Sequence, residues 1–336
     1  MTAPPPHSAD SLAQNGAGEG ARGPVQADEI PSGQAGGALD RIGGLIKTMR
    51  PHQWVKNVFV LAPVFFAKDL FDLQLIGRAA FAFLVFCLLA GAVYTINDVV
   101  DAPADRIHPV KRHRPIASGR VPIGLARGFA VGLFVVAMGA ALLGPPLFAL
   151  VAFAYFVLNI AYSFRLKKIA YLDVACIALG FVLRVIAGGI GTQVKVSTYL
   201  VACTALLALF LGFGKRRHEL ASAEHGVVGK QRSALEAYSP RALTVALAVT
   251  GTASVATYIA YTLDPATVAM FQSEWLWLTT PFVLFGVVRF LQLVATRPKA
   301  ESPTQEMLRD VPFVMNLVLW VAVVFWIVYQ LRPGAA

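Results

Sequence analysis

Four oxygen-bearing side chains in the first third of the chain recur at helical spacing. Asn97, Asp101 and Asp105 follow one another at intervals of four, and Asp98 precedes Asp101 by three. If one helix continues through them, all four side chains lie on one face at neighbouring turns. Oxygen ligands without histidine or cysteine suit Mg²⁺, which completes its shell with water and substrate phosphates. The spacing therefore predicts a magnesium site, although Pro103 would allow the helix to end early and leave Asp105 in a loop.

Positively charged side chains follow directly after these acids. Lys111 and Arg114 belong to a run that also contains Arg106, Arg112 and Arg120, and such cations neutralise phosphate charge. Three aspartates beside a basic run are costly near hydrocarbon unless something compensates them, and a metal–diphosphate complex would do so. The alternative is that these acids and bases pair with one another and solvate a helix end.

Further candidate phosphate ligands lie elsewhere in the sequence. Lys56 and Asn57 stand near the start of an apolar stretch, where a lysine needs either a partner or the membrane interface. Arg184 follows Asp173 by eleven residues, about three helical turns, so both point the same way. The candidate substrate-binding residues outside the acidic cluster are Lys56, Asn57, Lys111, Arg114, Lys167, Asp173, Arg184, Lys215 and Arg216. The alternatives are snorkelling of Lys56, a structural pair for Arg184 and a surface pair for Lys215.

The elements that position these residues belong to a membrane protein. Of 336 residues, 57% are apolar and 14% are charged, and the mean hydropathy is +0.62, values outside the range of soluble domains. The net charge of +10 does not indicate nucleic-acid binding, because a soluble binder could not bury so much apolar surface. Cys87, Cys176 and Cys203 lie in apolar runs, which favours core or lipid-facing positions over a disulfide framework.

Nine apolar stretches follow a tail that contains none. Residues 1–40 are predicted to be a disordered cytoplasmic tail, and residues 41–336 a transmembrane domain. An uncharged stretch is divided by Gly144-Pro145-Pro146, which favours a tight hairpin between two helices. The predicted spans are 52–68, 76–97, 124–143, 147–164, 171–189, 198–214, 242–263, 275–294 and 312–331.

The distribution of lysine and arginine gives an orientation. With the N-terminus inside, 21 of them fall on cytoplasmic segments and 4 on the opposite side, as the retention of positive loops in the cytoplasm requires. The sequence therefore predicts an all-α bundle of nine transmembrane helices in the cytoplasmic membrane. Its N-terminus and the polar cavity of its active site face the cytoplasm, and its C-terminus lies outside.

The acidic segment resembles a known motif. NDVVDAPAD, from Asn97 to Asp105, is similar to the first aspartate-rich motif, NDxxDxxxD, of the UbiA superfamily of intramembrane prenyltransferases, and KRHRPIASG resembles its usual continuation. Three further stretches resemble the decaprenyl-phosphate phosphoribosyltransferase branch: RPHQWVKN at 50–57, SFRLKKIAYLDVACIALGFVLRVIAGG at 163–189 and GKRRHEL at 214–220. The resemblance extends over residues 48–331.

This resemblance implies an enzyme. The implied reaction moves a 5-phosphoribosyl group from phosphoribosyl diphosphate to a decaprenyl-type polyprenyl phosphate, with Mg²⁺ as cofactor and diphosphate as product, for the synthesis of arabinose donors for the cell envelope. Asp98, Asp101 and Asp105 would be the catalytic residues. Aromatic prenyltransferases of the superfamily generally carry a second DxxxD motif, whereas only Asp173 stands near that place here, so a second full metal cluster is in doubt.

Two other functions remain open at this point. An aromatic or haem-type prenyltransferase would use a polyprenyl diphosphate donor, and the absence of the second motif weighs against it. An ion-coupled transporter would use Asp98 and Asp101 as an ion path, but acids would then be expected in several spans. The sequence does not predict an oligomeric state.

Overall fold

The computed structural model describes residues 37–66, 72–224, 235–296 and 303–329, and every regular element in these ranges is helical. Most of the predicted tail, 1–40, lies outside them and stays a prediction, and helix α1 begins at Ala38. The α-helices are α1 Ala38–Thr48, α2 Ala62–Phe65, α3 Leu73–Arg106, α4 Ile123–Ala141, α5 Pro146–Phe164, α6 Leu172–Thr192, α7 Thr198–Glu224, α8 Pro240–Leu263, α9 Pro265–Phe271, α10 Thr280–Thr296, α11 Pro303–Arg309 and α12 Val311–Tyr329. Short 3₁₀ helices cover Lys111–His113, Leu166–Lys168, Leu235–Ala237 and Trp275–Thr279.

Eight helices of the described residues are long and apolar enough to cross a membrane, namely α3 to α8, α10 with the 3₁₀ turn before it, and α12. They correspond to the last eight predicted spans. The first predicted span, 52–68, instead contains the 3₁₀ helix Pro51–Leu61 followed by the short α2, and residues 67–71 lie outside the described ranges. Nine spans therefore stay a prediction.

Helix α3 carries the whole acidic motif. Asp72 caps its start by accepting hydrogen bonds from the backbone N–H groups of Gln74 and Leu75. The helix continues through Pro103 to Arg106, so Asp105 does not approach from a loop. Pro103 lies in the last turn, where the missing N–H removes a single helical hydrogen bond close to the end. Asn97, Asp98, Asp101 and Asp105 therefore share one helix, as their spacing predicts.

Large aromatic side chains lie in several cores, two of which pack the helices that carry candidate residues. Phe86, Phe148 and Tyr155 are fully buried where α3 to α6 meet, and Phe210 packs against Phe290 where α7, α8 and α10 meet. Helices α6 and α7 pack against each other and join the two groups. Since these aromatic side chains are closely packed, they fix how the helices that carry the polar residues lie against one another.

One glycine sets the position of the 3₁₀ helix Pro51–Leu61. A Cβ atom added at Gly188 would lie 1.9 Å from the backbone oxygen of Val60, so no larger residue fits there. This close approach packs the 3₁₀ helix against α6, and it brings Asn57 beside Arg184.

Candidate active site

Two aspartates of α3 are buried and paired with arginines. Asp98 and Asp105 are 3% and 4% exposed. Arg50 Nη2 donates to Asp98 Oδ1 at 2.5 Å, and Arg114 Nη1 donates to Asp105 Oδ2 at 2.7 Å and to Asp98 Oδ1 at 3.3 Å. Part of the predicted acid–base pairing therefore exists. Because both carboxylates bind one nitrogen of Arg114, they face the same space.

Arg50 reaches Asp98 from an unusual backbone conformation. Its φ of 51° and ψ of 63° are left-handed, a conformation that is uncommon for a residue with a side chain and disfavoured before a proline such as Pro51. The guanidinium carbon also lies 5.2 Å from the centre of the Tyr94 ring. Strained residues of this kind cluster at functional sites, which adds Arg50 to the candidates.

The other two oxygen ligands of the motif are not engaged. Asn97 and Asp101 are half-buried, and no hydrogen bond or ion pair joins either side chain to the described residues. Nor does any group of three His, Cys, Asp or Glu side chains in those residues converge closely enough to hold a metal ion alone. Mg²⁺ usually takes one or two carboxylates and obtains its remaining ligands from water and substrate phosphates. The donor set fits a metal ion that binds together with a diphosphate.

A buried arginine lies on the inner side of α6. Arg184 is 7% exposed; its Nε donates to Asn57 Oδ1 at 2.9 Å, its Nη2 to the Tyr155 hydroxyl at 2.6 Å and its Nη1 to the Gly180 carbonyl at 3.0 Å. Its guanidinium also lies 4.6 Å from the centre of the Tyr155 ring. No carboxylate in the described residues neutralises it. The arginine is therefore held in place by neutral groups and keeps its positive charge available to an anion.

Lys56 directly precedes Asn57, the hydrogen-bond partner of Arg184, in the 3₁₀ helix Pro51–Leu61. The residue is solvent-accessible, yet enough protein surrounds its ammonium group to desolvate it. This desolvation, followed by the nearby positive charges of Lys215, Arg184 and Arg50, lowers the pKa of Lys56 to about 8. Four cations from three segments of the chain therefore repel one another here, and an anionic ligand would relieve this repulsion.

Asp173 and Arg216 form a second, closed cluster. They are 0% and 2% exposed, and Arg216 Nε lies 2.8 Å from Asp173 Oδ2. The Tyr238 hydroxyl donates to Asp173 Oδ1 at 2.5 Å, and burial together with this bond to Asp173 raises the pKa of Tyr238. Arg216 also bonds Glu219. The cluster connects α6, α7 and the turn before α8, so its contacts favour a structural role, while substrate binding by Asp173 and Arg216 stays a prediction.

The structure shows fewer contacts for the remaining predicted substrate-binding residues. Lys111 and Lys167 lie in short 3₁₀ helices, exposed and half-buried respectively, and Lys215 is half-buried on α7. Sequence reasoning missed Arg50, Tyr155 and Tyr238 as site or support residues. Arg50 begins the RPHQWVKN stretch, and this resemblance could have identified it as a candidate. Neither tyrosine lies in a motif that would set it apart from other tyrosines in apolar segments.

Comparison with known proteins assigns the family. Residues 58–318 match the UbiA prenyltransferase family. The chain belongs to this family. The membership predicted from NDVVDAPAD is therefore confirmed.

Among UbiA relatives, decaprenyl-phosphate phosphoribosyltransferases are the most informative. The protein of that name from Corynebacterium glutamicum is 35% identical over 291 residues, which cover 85% of this chain and 87% of the relative. The one from Mycobacterium tuberculosis is 39% identical over 221 residues, which cover 65% and 73%. The predicted similarity to this branch is confirmed.

Solved UbiA structures share the fold. A UbiA homologue from Archaeoglobus fulgidus bound to GPP and Mg²⁺ superimposes with a TM-score of 0.62 at 19% identity, over 85% of this chain and 99% of the other. A structure described for digeranylgeranylglyceryl phosphate synthase gives a TM-score of 0.64 at 15% identity, over 87% and 100%. At these identities the likeness concerns the fold alone.

Proposed function

We propose that this protein transfers the 5-phosphoribosyl group of phosphoribosyl diphosphate to decaprenyl phosphate and releases diphosphate. The observation that carries the proposal is the 35% identity to a decaprenyl-phosphate phosphoribosyltransferase across 85% of the chain. The site supports it, because one group of carboxylates lies beside several cations, and a reaction with three phosphate-bearing groups needs such cations.

In the proposed reaction, the bond between the anomeric carbon and the diphosphate oxygen breaks and the electron pair leaves with diphosphate. An oxygen of the lipid phosphate then bonds to the oxocarbenium-like carbon. The lipid phosphate is already anionic at neutral pH, so no strong general base is required and positioning dominates. Stabilisation of the leaving diphosphate is the main electrostatic task.

Asn97, Asp98, Asp101 and Asp105 would hold Mg²⁺, which supplies charge neutralisation for the leaving group. For that to occur, Asp98 and Asp105 must exchange part of their contact with Arg50 and Arg114 for the metal–diphosphate complex. The guanidinium groups of Arg50 and Arg114 would then be available to the phosphates of the same complex.

The ribosyl 5-phosphate and the lipid phosphate each need positively charged partners of their own. We assign the ribosyl 5-phosphate to cations among Lys111, Arg114, Lys167 and Arg184, and the lipid phosphate to Lys56 or Lys215. The electrostatic influence of Lys215 and Arg184 on Lys56 supports a shared anion-binding region.

We further propose that the active site faces the cytoplasm. An enzyme that uses a soluble phosphoribosyl donor would expose its polar cavity to the cytoplasm, on the side where the positive loops fall. The N-terminus and the active site would then be cytoplasmic, the bundle would lie in the cytoplasmic membrane, and the product would serve the synthesis of envelope arabinose donors.

A comparison of two substrate pairs tests the function. Detergent-purified protein with Mg²⁺ receives phosphoribosyl diphosphate and decaprenyl phosphate in one reaction, and a polyprenyl diphosphate with 4-hydroxybenzoate in another. We expect a lipid product and free diphosphate in the first reaction only. Product in the second alone would support the aromatic alternative, and diphosphate release in neither would contradict both assignments.

The lowered pKa of Lys56 predicts a pH dependence. The ammonium group is charged below about pH 8 and attracts a phosphate there, and the attraction is lost as the pH rises through the pKa. We expect kcat/KM for decaprenyl phosphate to fall above about pH 8 in the unchanged protein. Lys56→Arg should remove this fall, since arginine stays protonated. An identical profile in both proteins would exclude Lys56 as the titrating group.

A further inference from the structure

The outer face of α1 is apolar, and none of the described residues covers it. Leu39, Ile42 and Ile46 are 85%, 52% and 52% exposed, and their spacing of three and four places them along one side of the helix. Single exposed apolar residues are ordinary. Three on one side of an 11-residue helix form a continuous stripe, which marks an interaction surface.

The inner side of the same helix is attached to the bundle. Thr48 Oγ1 lies 3.0 Å from Thr95 Oγ1 on α3, three residues before Asp98. Arg120, the last cation of the basic run, lies with its Nη2 2.7 Å from Asp40 Oδ1 of α1. These contacts hold α1 across the end of the bundle that carries the acidic motif. The stripe therefore faces outward from a fixed position at the boundary of the spanning helices.

The surface near the stripe has the positive charge and the apolar side chains that contact with a lipid leaflet requires. Lys47 is exposed and adjoins Ile46 in the sequence, so a positive group borders the stripe, as anionic headgroups favour. The next segment continues the apolar exposure, with Val55 64% and Val58 50% exposed. A second protein copy fits less well, because three side chains cannot provide the roughly 800 Å² that each partner of a stable interface buries.

We propose that α1 lies in the interface of the bilayer, with Leu39, Ile42 and Ile46 among the acyl chains and Lys47 among anionic headgroups. An amphipathic helix with a basic residue beside its apolar stripe is the form that such interfacial helices take. The helix then fixes the start of the 3₁₀ segment, and with it Arg50, at the level of the headgroups. This proposal is independent of the reaction that the protein catalyses.

Spin labelling in nanodiscs that contain phosphatidylglycerol tests the position of α1. Nitroxide labels are placed in Ile42→Cys and Ile46→Cys, with Lys47→Cys as the matched control on another side of the helix. The unsubstituted chain, labelled in parallel, gives the background from its own three cysteines. Collision rates with lipid-soluble oxygen and with a water-soluble nickel chelate are then compared at each position.

We expect oxygen to relax the labels at 42 and 46 several-fold more than the nickel chelate does, and the order to be reversed at 47. Greater relaxation by nickel at all three positions would place the helix in water and overturn the proposal. Low relaxation by both reagents, or dipolar broadening between copies, would show that protein covers the stripe and would overturn it equally.

Discussion

Asp101→Asn is expected to reduce diphosphate release about a thousandfold with little change in melting temperature. Metal stabilisation of a leaving phosphate is worth several kcal/mol, and about 1.4 kcal/mol corresponds to a factor of ten. Asp101 is the aspartate of the motif with no ion pair or hydrogen bond to the described residues. Its replacement therefore removes a ligand without disturbing Arg50 or Arg114.

Binding of Mn²⁺, measured by the decrease of its free electron paramagnetic resonance signal in the presence of diphosphate, should weaken in parallel with activity. Asp40→Asn is the matched control, because Asp40 is a half-exposed carboxylate paired with Arg120 outside the proposed site. It should leave metal binding and turnover unchanged. Full turnover of Asp101→Asn would contradict the assignment of the α3 face as the metal site.

Asp173→Ala should lower the free energy of unfolding by about 3 kcal/mol, because it removes the buried one of the two carboxylates that pair with buried Arg216. Removing one member of a buried ion pair typically costs about 3–5 kcal/mol, and Glu219 still contacts Arg216, which favours the lower end. Denaturant unfolding in detergent, followed by circular dichroism, measures the change.

Two further variants separate this effect from a general loss of charge. Asp40→Ala breaks the exposed pair with Arg120 and should cost less than about 1 kcal/mol. Combining Asp173→Ala with Arg216→Met should cost less than the two single changes together, since no unpaired charge is then buried. If Asp173→Ala unfolds like the unchanged chain yet fails to bind substrate, Asp173 has a direct substrate role instead.

The sequence determines most of the membrane helices because their signal is local. Apolar runs bounded by charges predicted the positions of eight membrane helices, although α3 and α7 end at Arg106 and Glu224 and not at the predicted 97 and 214. Helical spacing likewise placed Asn97, Asp98, Asp101 and Asp105 on one face. Pro103 misled the prediction, since a proline in the last turn removes too little hydrogen bonding to stop a helix.

Contacts between side chains that are distant in sequence could not be predicted from local patterns. The contact of Arg184 with Tyr155 and Asn57 depends on how α5, α6 and the 3₁₀ helix pack, and on the absence of a side chain at Gly188. The same holds for Arg50, whose ion pair with Asp98 joins residues 48 positions apart. Residue type made Arg184 a candidate, but only packing shows that neutral groups hold it.

Positional labelling of the donor tests the central claim most directly. Phosphoribosyl diphosphate carrying ³²P either in the 5-phosphate or in the β-phosphate is incubated with purified protein, Mg²⁺ and decaprenyl phosphate, and the lipid and aqueous phases are counted. Phosphoribosyl transfer predicts that the 5-phosphate label enters the lipid and that the β-phosphate label stays in water as diphosphate. A β-phosphate label in the lipid, or no label from either donor, would contradict it.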